Sequence, residues 1–345
     1  PRELEDRLAA QPDGSWVFID EIQKIPSLLD DVHRFIKSHK FALTGSSARK
    51  LKQGGANLLA GRASVYSLFP LTFLELGATF DLEMALNWGS LPEVFSLLSD
   101  LEREQFLESY SLTYLKEEVW GEHLIRNLDP FREFLSVAAQ MNGKLINYTK
   151  ISRDVGVDPK TVQSYYQILT DTLLGFMLAP FHPSVRKRQR LSPKFYFFDP
   201  GVVRALAGTL SVPIRPKAYA YGNFFEHFVI NEIHKLNTYQ RHSYELSFLR
   251  TENDVEVDLI LERAGRVVWA IEIKSTESVT EDHLRHIRRL GPELHAENLL
   301  CLSKDPHQKV VHGVKCLPWR EGIMSLYQGD SGGLVEGLKM NEVLS

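Results

Sequence analysis

The sequence predicts a multidomain α/β protein, and three observations lead to this class. The chain has 345 residues, which is more than a single hydrophobic core usually organises. Short apolar runs of strand length alternate with segments in which apolar residues recur at helical spacing. Hydrophobic residues make up 43% of the chain and charged residues 24%, as in globular domains, and no run of about 18 apolar residues predicts a membrane span.

Net charge and cysteine content narrow the classes of function. A net charge of -4 gives no general positive field, so DNA binding has to come from local basic patches. Cys301 and Cys316 have no metal-ligand pattern around them, which argues against a disulfide framework or a zinc site. We therefore expect a reducing, cytoplasmic location.

The N-terminal part predicts a strand, helix, strand unit. The continuous apolar run at residues 16–19 is typical of a parallel strand covered on both faces. Helical spacing follows Pro26, and residues 41–44 begin a second buried strand. Asp20 and Glu21 follow the first strand, at the carboxyl end where open parallel sheets usually bind ligands.

Two adjacent acids in this position are suited to nucleotide chemistry. An Asp after an apolar strand can hold Mg²⁺ through water, and the next Glu can orient a water for attack on a terminal phosphate. Residues 44–47 (Thr-Gly-Ser-Ser) close the second strand, where a polar side chain can sense that phosphate. The alternative is that Asp20 and Glu21 only end the strand and cap the next helix.

The middle of the chain is predicted to be mainly helical. Apolar residues recur on helical faces over residues 71–130, a predicted lid or connector with a break at Asp129-Pro130. Further helices are predicted at residues 131–141 and around residues 149–155. A third helix starts with Asp158 as its N-cap and Pro159 in its first turn. This spacing is typical of a helix–turn–helix.

The third helix and a later basic run predict a DNA-contact surface. Lys160 and Gln163 fall on its exposed side, so they can enter a major groove. A basic run precedes the apolar strand at 195–198, and the two together are predicted to form the wing. The basic side chains of this run can neutralise phosphates: Arg186, Lys187, Arg188 and Arg190. The alternative is a winged helix used only for packing between domains.

The C-terminal part predicts a second α/β unit. A helix near residues 223–236 is followed by strands at 244–249, 255–261 and 267–273. Because side chains alternate along a strand, Glu272 and Lys274 share one face. The side chains with catalytic chemistry on this unit are Glu226, Asp258, Glu272 and Lys274.

Four segments carry a resemblance to a prokaryotic family of AAA-superfamily ATPases with a DUF4143-type C-terminal region. They are residues 18–24 (Phe-Ile-Asp-Glu-Ile-Gln-Lys), 43–47 (Leu-Thr-Gly-Ser-Ser), 59–62 (Leu-Ala-Gly-Arg) and 69–71 (Phe-Pro-Leu). The resemblance runs over most of the chain and implies a partial P-loop ATPase sheet that uses ATP. Asp20 would then be the Walker B metal residue, Glu21 the catalytic acid and Ser46 a sensor. Arg62 would be a finger acting in trans within a homo-oligomer, or a structural arginine.

The C-terminal unit resembles the PD-(D/E)xK fold of restriction-endonuclease-like enzymes. The resemblance implies that Asp258 and Glu272 coordinate Mg²⁺ or Mn²⁺ and that Glu226 supports the metal shell. Lys274 would position water or stabilise charge that develops on the phosphate.

One departure from the ATPase family concerns the phosphate loop. No Gly-x-x-x-x-Gly-Lys-Ser/Thr motif occurs in the chain, although the family carries it upstream of the Walker B strand. The chain also begins with Pro1, which suggests a fragment, a processed chain or missing upstream sequence. Without the loop's amides and lysine we expect weak ATP binding by this chain alone.

These expectations combine into a domain plan. The predicted parts are an ATPase core at 1–70, a helical lid at 71–130, a winged helix at 131–212, a nuclease-like domain at 213–325 and a tail at 326–345. The leading function is an AAA-type ATPase subunit that couples nucleotide state to DNA binding or processing, without a membrane. The alternatives are a noncatalytic interaction protein and a metal-dependent nuclease that works without ATP.

Overall fold

The computed structural model describes most of the chain and has the predicted mixed α/β character. The described residues are 2–45, 63–111, 128–183, 191–251, 253 and 255–327. The chain divides into two compact units. The first comprises residues 1–66, 113–134 and 148–176, and the second comprises residues 67–112, 135–147 and 177–345.

The first unit begins with the predicted strand, helix, strand arrangement. Helix α1 (Arg2–Ala9) precedes strand β1 (Trp16–Ile19), helix α2 (Leu28–Phe35) and strand β2 (Lys40–Leu43). The two strands pair in parallel, as predicted. The small core under them is formed by the buried side chains of Ile22, Leu29 and Val32.

The prediction that β1 is covered on both faces is wrong. Trp16 is 60% exposed and Phe18 is 78% exposed, and their rings stack at a centroid distance of 6.1 Å. Ile19, on the other face, packs against the core beside α2. An apolar run therefore marks the strand correctly, but α2 covers only one of its faces.

Three further helices follow the predicted spacing. They are α6 (Leu128–Gln140), α7 (Tyr148–Val155) and α8 (Pro159–Asp171). Asp158 caps α8 as predicted, because its carboxylate accepts hydrogen bonds from the N–H groups of Lys160 and Thr161. The helix predicted at 131–141 begins three residues earlier, at Leu128, so Asp129 and Pro130 lie in its first turn, where a proline lacks only an N–H that would be unpaired there.

The second unit starts with short capped helices, as expected for the lid region. They are α3 (Phe73–Leu76), α4 (Leu82–Trp88) and α5 (Asp100–Ser109). Thr72 and Ser99 each form a reciprocal capping box with a glutamate three residues later, which satisfies the free N–H groups of the first turn.

An eight-stranded mixed sheet dominates the described part of the second unit. In chain order its strands are β3 (Gly175–Pro180), β4 (Lys194–Phe197), β5 (Glu245–Arg250), β6 (Glu256–Arg263), β7 (Arg266–Lys274), β8 (Asn298–Ser303), β9 (Lys309–Val311) and β10 (Val314–Pro318). The spatial order is β4-β3-β5-β6-β7-β8-β10-β9. The strand predicted as a wing is therefore β4, at one edge of this sheet.

Four more helices lie in this unit. They are α9 (Pro200–Leu206), α10 (Tyr219–Tyr239), α11 (Arg285–Glu293) and α12 (Trp319–Ser325). Helix α11 joins the parallel strands β7 and β8 and packs on them and on β6. Helix α10 contacts β7 and α12. No helix within the described ranges is long and apolar enough to cross a bilayer.

Candidate functional site

A group of acidic and basic side chains meets where β6 begins and β7 ends; we call it the carboxylate–lysine site. These strands are antiparallel with Leu259 opposite Ile271, so Asp258 and Glu272 become neighbours one residue further on. Lys274 Nζ lies 2.5 Å from Glu272 Oε1 and 3.6 Å from Asp258 Oδ2. The structure thus brings together the side chains that the sequence placed on these two strands.

Burial sets the electrostatics of this site. Glu272 is 2% exposed, and burial, helped by the charge of Asp258, raises its pKa to about 8. Burial opposes the charge on Lys274, but Asp258 and Glu272 outweigh that effect and raise the lysine pKa. Glu272 Oε2 has no hydrogen-bond partner, so the site holds an unsatisfied acceptor beside a paired one.

Glu226 belongs to the same electrostatic group. It lies on α10, and its Oε1 accepts a 2.7 Å hydrogen bond from the Tyr196 hydroxyl. Burial raises the pKa of Glu226, Lys194 opposes the rise and Asp258 adds to it. The charge of Asp258 on β6 therefore influences the pKa of Glu226 on α10.

Sequence reasoning missed three residues at the edge of the site. Lys194 and Tyr196 on β4 both approach Glu226, and Lys194 also pairs with Glu256 at the start of β6. The signal was present in the alternation of Lys194 and Tyr196 with two phenylalanines, which puts both polar groups on one face of the strand.

The donor set can be tested for a divalent cation. Asp258 and Glu272 offer carboxylate oxygens, the chemistry that Mg²⁺ and Mn²⁺ prefer, and Glu272 Oε2 is buried without a partner. A cation there would also offset the burial that raises the pKa of Glu272. No group of three or more His, Cys, Asp or Glu in the described ranges is arranged to hold a metal ion, which leaves Asp258 and Glu272 as the two protein ligands. The residues present therefore fit a Mg²⁺-type ion whose remaining ligands are water or phosphate.

The predicted Walker B acids lie at the carboxyl ends of β1 and β2. The Thr44 hydroxyl donates to Asp20 Oδ1, and the backbone N–H of Glu21 donates to Thr44 Oγ1 at 3.1 Å. Glu21 adopts a left-handed backbone conformation with φ 52° and ψ 47°, which costs a non-glycine residue about 1–2 kcal/mol. Such strain is often concentrated at functional sites.

Of the other predicted site residues, two lie on α8 and six lie outside the described residues. Lys160 and Gln163 are exposed on α8, whereas Val162 and Tyr165 are buried, so the predicted exposed face is confirmed. The following predicted site residues lie outside the described residues: Ser46, Arg62, Arg186, Lys187, Arg188 and Arg190.

Family models match three consecutive parts of the chain. An AAA domain model matches residues 1–77, and domains of unknown function match residues 79–212 (DUF8612) and 221–321 (DUF4143). The chain thus carries an N-terminal match to an AAA domain and a C-terminal match to a DUF4143 region, which confirms the resemblance drawn from the sequence.

The chain is similar to three bacterial proteins described as uncharacterized. It is 29% identical to proteins of Mycobacterium tuberculosis and Mycobacterium bovis over 76% of this chain and 59% of theirs. It is 22% identical to a protein of Haemophilus influenzae over 83% of this chain and 72% of that one. The chain therefore spans less than two thirds of the mycobacterial relatives. No solved structure matches it.

Proposed function

We propose that this chain belongs to an AAA-type ATPase that couples nucleotide state to DNA binding or processing, and that its DUF4143 region hydrolyses phosphodiester bonds. The observation that carries the proposal is the meeting of Asp258, Glu272 and Lys274, with the lysine ammonium 2.5 Å from one carboxylate and 3.6 Å from the other. The AAA domain match supports the nucleotide part.

Each side chain has a task in this hydrolysis. Asp258 and Glu272 would hold Mg²⁺ or Mn²⁺, which supplies Lewis-acid activation when bound. Lys274 would stabilise the charge that develops on the phosphate while the water oxygen bonds to phosphorus and one ester P–O bond breaks. The proton lost by the water balances the one gained by the leaving alkoxide.

The DNA-contact part of the proposal draws on α8. Lys160 and Gln163 are exposed on a capped helix of 13 residues, long enough to present a face to a groove. The basic run at 186–190 would add phosphate contacts.

Cleavage assays test the nuclease part. We expect purified protein with Mn²⁺ to cut duplex, branched or single-stranded DNA, and Asp258→Asn or Lys274→Ala to lower the rate at least about 100-fold. Glu262→Gln is the matched control, because Glu262 is another buried acid of β6 outside the site. If none of the three DNAs is cut and Lys274→Ala changes nothing, this part of the proposal is wrong.

A noncatalytic interaction role is the second candidate, and one observation favours it. Lys274 and Lys194 already pair with the acids of the site, so those charges are neutralised within the protein. A chain that binds DNA or a partner protein tightly but never cleaves with any divalent ion would support this role.

A further inference from the structure

The β4 side of the carboxylate–lysine site contains two buried polar groups aimed at one oxygen atom. Lys194 is 4% exposed and Tyr196 is 1% exposed. The Tyr196 hydroxyl donates to Glu226 Oε1 at 2.7 Å, and Lys194 Nζ lies 3.6 Å from the same oxygen. Lys194 also forms an ion pair with Glu256. Glu226 is thus held from two directions by one strand.

Packing alone does not explain these two groups. Phe195 and Phe197, which alternate with them on β4, are buried in apolar surroundings, so the strand readily accommodates apolar side chains. Replacement of a buried ion pair by well-packed apolar residues is often neutral or stabilising. We therefore infer that Lys194 and Tyr196 are present to fix the orientation of the Glu226 carboxylate.

A fixed orientation of Glu226 matters because of the chemistry of the neighbouring acids. A carboxylate has rotational freedom about its terminal bonds, and a metal ligand binds well only when other hydrogen bonds hold it in place. Asp258 is already held, because its Oδ2 accepts a 2.7 Å hydrogen bond from the backbone N–H of Ile273. Glu226 comes from a helix, and in the part of the chain that the structure describes its restraint comes from Tyr196 and Lys194 on β4.

We propose that Lys194 and Tyr196 are positioning residues that fix the carboxylate of Glu226 beside the acids of β6 and β7, so that it can accept a hydrogen bond from a water bound to a divalent cation held by Asp258 and Glu272. The inference rests on the proposed function, since it concerns the same metal site. It adds β4, which neither the strand motif nor the family resemblance included.

Mn²⁺ titration calorimetry tests the positioning role without relying on DNA cleavage. We expect Tyr196→Phe to weaken Mn²⁺ binding about 10- to 100-fold, the usual effect of losing an outer-shell hydrogen bond. Lys194→Met should weaken it similarly, and Lys194→Arg, which keeps the charge, should restore most of the affinity. The thermal unfolding midpoint of each variant shows that the loss does not come from unfolding.

The chain offers a matched control in Tyr221. Its hydroxyl donates to Glu83 Oε1 at 2.6 Å, a phenol–carboxylate bond like that of Tyr196 but made to an acid outside the site. Tyr221→Phe should leave Mn²⁺ affinity unchanged, and an equal loss there would overturn the inference.

The outcomes separate this inference from the function on which it rests. If the wild-type protein binds no Mn²⁺, the proposed function and the inference both fail. If the wild type binds Mn²⁺ and cuts DNA but Tyr196→Phe binds the ion equally well, only the positioning role is wrong. Should Lys194→Met not fold, the comparison of Tyr196→Phe with Tyr221→Phe decides the matter.

Discussion

At the scale of single residues, burial of a charge does not by itself mark a functional site in this protein. Arg204 is 1% exposed, and burial lowers its pKa to about 10. Its guanidinium donates to several backbone carbonyls, among them those of Thr209 and Val212, so it fastens a loop. The carboxylate–lysine site differs because buried acids meet there and one oxygen is left without a partner.

The ring of His234 is expected to make the stability of the protein depend on pH. Burial, helped by the charge of Lys235, lowers its pKa from 6.5 to about 4. Because the unfolded chain takes up a proton near pH 6.5 and the folded chain only near pH 4, stability is full above that window and falls as pH decreases through it. When the pH is lowered from 7 to 5, we expect the unfolding free energy of His234→Gln to fall by about 2 kcal/mol less than that of the wild type.

Urea unfolding at the two pH values measures this difference. His295→Gln replaces an exposed histidine and should follow the wild type. If His234→Gln also follows the wild type, the ring does not resist protonation in the folded state and the prediction is wrong.

At the scale of elements, two glycines let α4 and α9 approach closely. A Cβ on Gly201 would lie 2.2 Å from the backbone oxygen of Trp88, and one on Gly89, whose φ is +80°, would lie 2.0 Å from Asp199 Oδ1. Asp199 caps α9 and also accepts a 2.6 Å hydrogen bond from the N–H of Ser90. The two helices can therefore pack this closely only because Gly201 and Gly89 have no side chains.

This junction yields a stability prediction. Gly201→Ala should destabilise the protein by about 1–3 kcal/mol, as overpacking does, although alanine is the better helix former. The matched control is Gly222→Ala in α10, where the new Cβ would meet only Ser275 Oγ at 3.6 Å. That variant should be stabilised by up to about 1 kcal/mol. Thermal and urea unfolding compare the two, and equal stability of both variants would contradict the steric account.

At the scale of the whole molecule, the chain joins an AAA segment and a DUF4143 region within 345 residues. Both candidate sites lie at strand ends: the predicted Walker B acids follow β1, and the carboxylate–lysine site lies where β7 ends beside the start of β6. The chain covers 59% of the length of its mycobacterial relatives.

The whole chain is predicted to bind ATP weakly. The chain has no Gly-x-x-x-x-Gly-Lys-Ser/Thr motif, and acids without that loop repel a nucleotide. We expect calorimetric titration of this 345-residue chain with Mg-ATP to show a Kd no tighter than about 1 mM, with Asp20→Asn giving the same result. Micromolar binding by the wild type would contradict this expectation.

The sequence by itself determined the local structure of much of the chain. A short apolar run predicted β1, and apolar spacing predicted α2 and the strands that carry the site acids. The cap at Asp158 was predicted because an N-cap interaction involves only the first turn of its own helix. Alternation along β7 likewise put Glu272 and Lys274 on one face, as the structure has them.

Only the tertiary structure decided which distant elements meet. β4 reaches Glu226 from 30 residues earlier in the chain, and no local pattern encodes that pairing. The same holds for the exposure of Trp16 and Phe18, since a short apolar run does not state how many faces of its strand are covered. Local spacing thus gave the acids of the site, whereas long-range packing gave the lysine and tyrosine that hold one of them, because contacts far apart in sequence depend on the whole sheet.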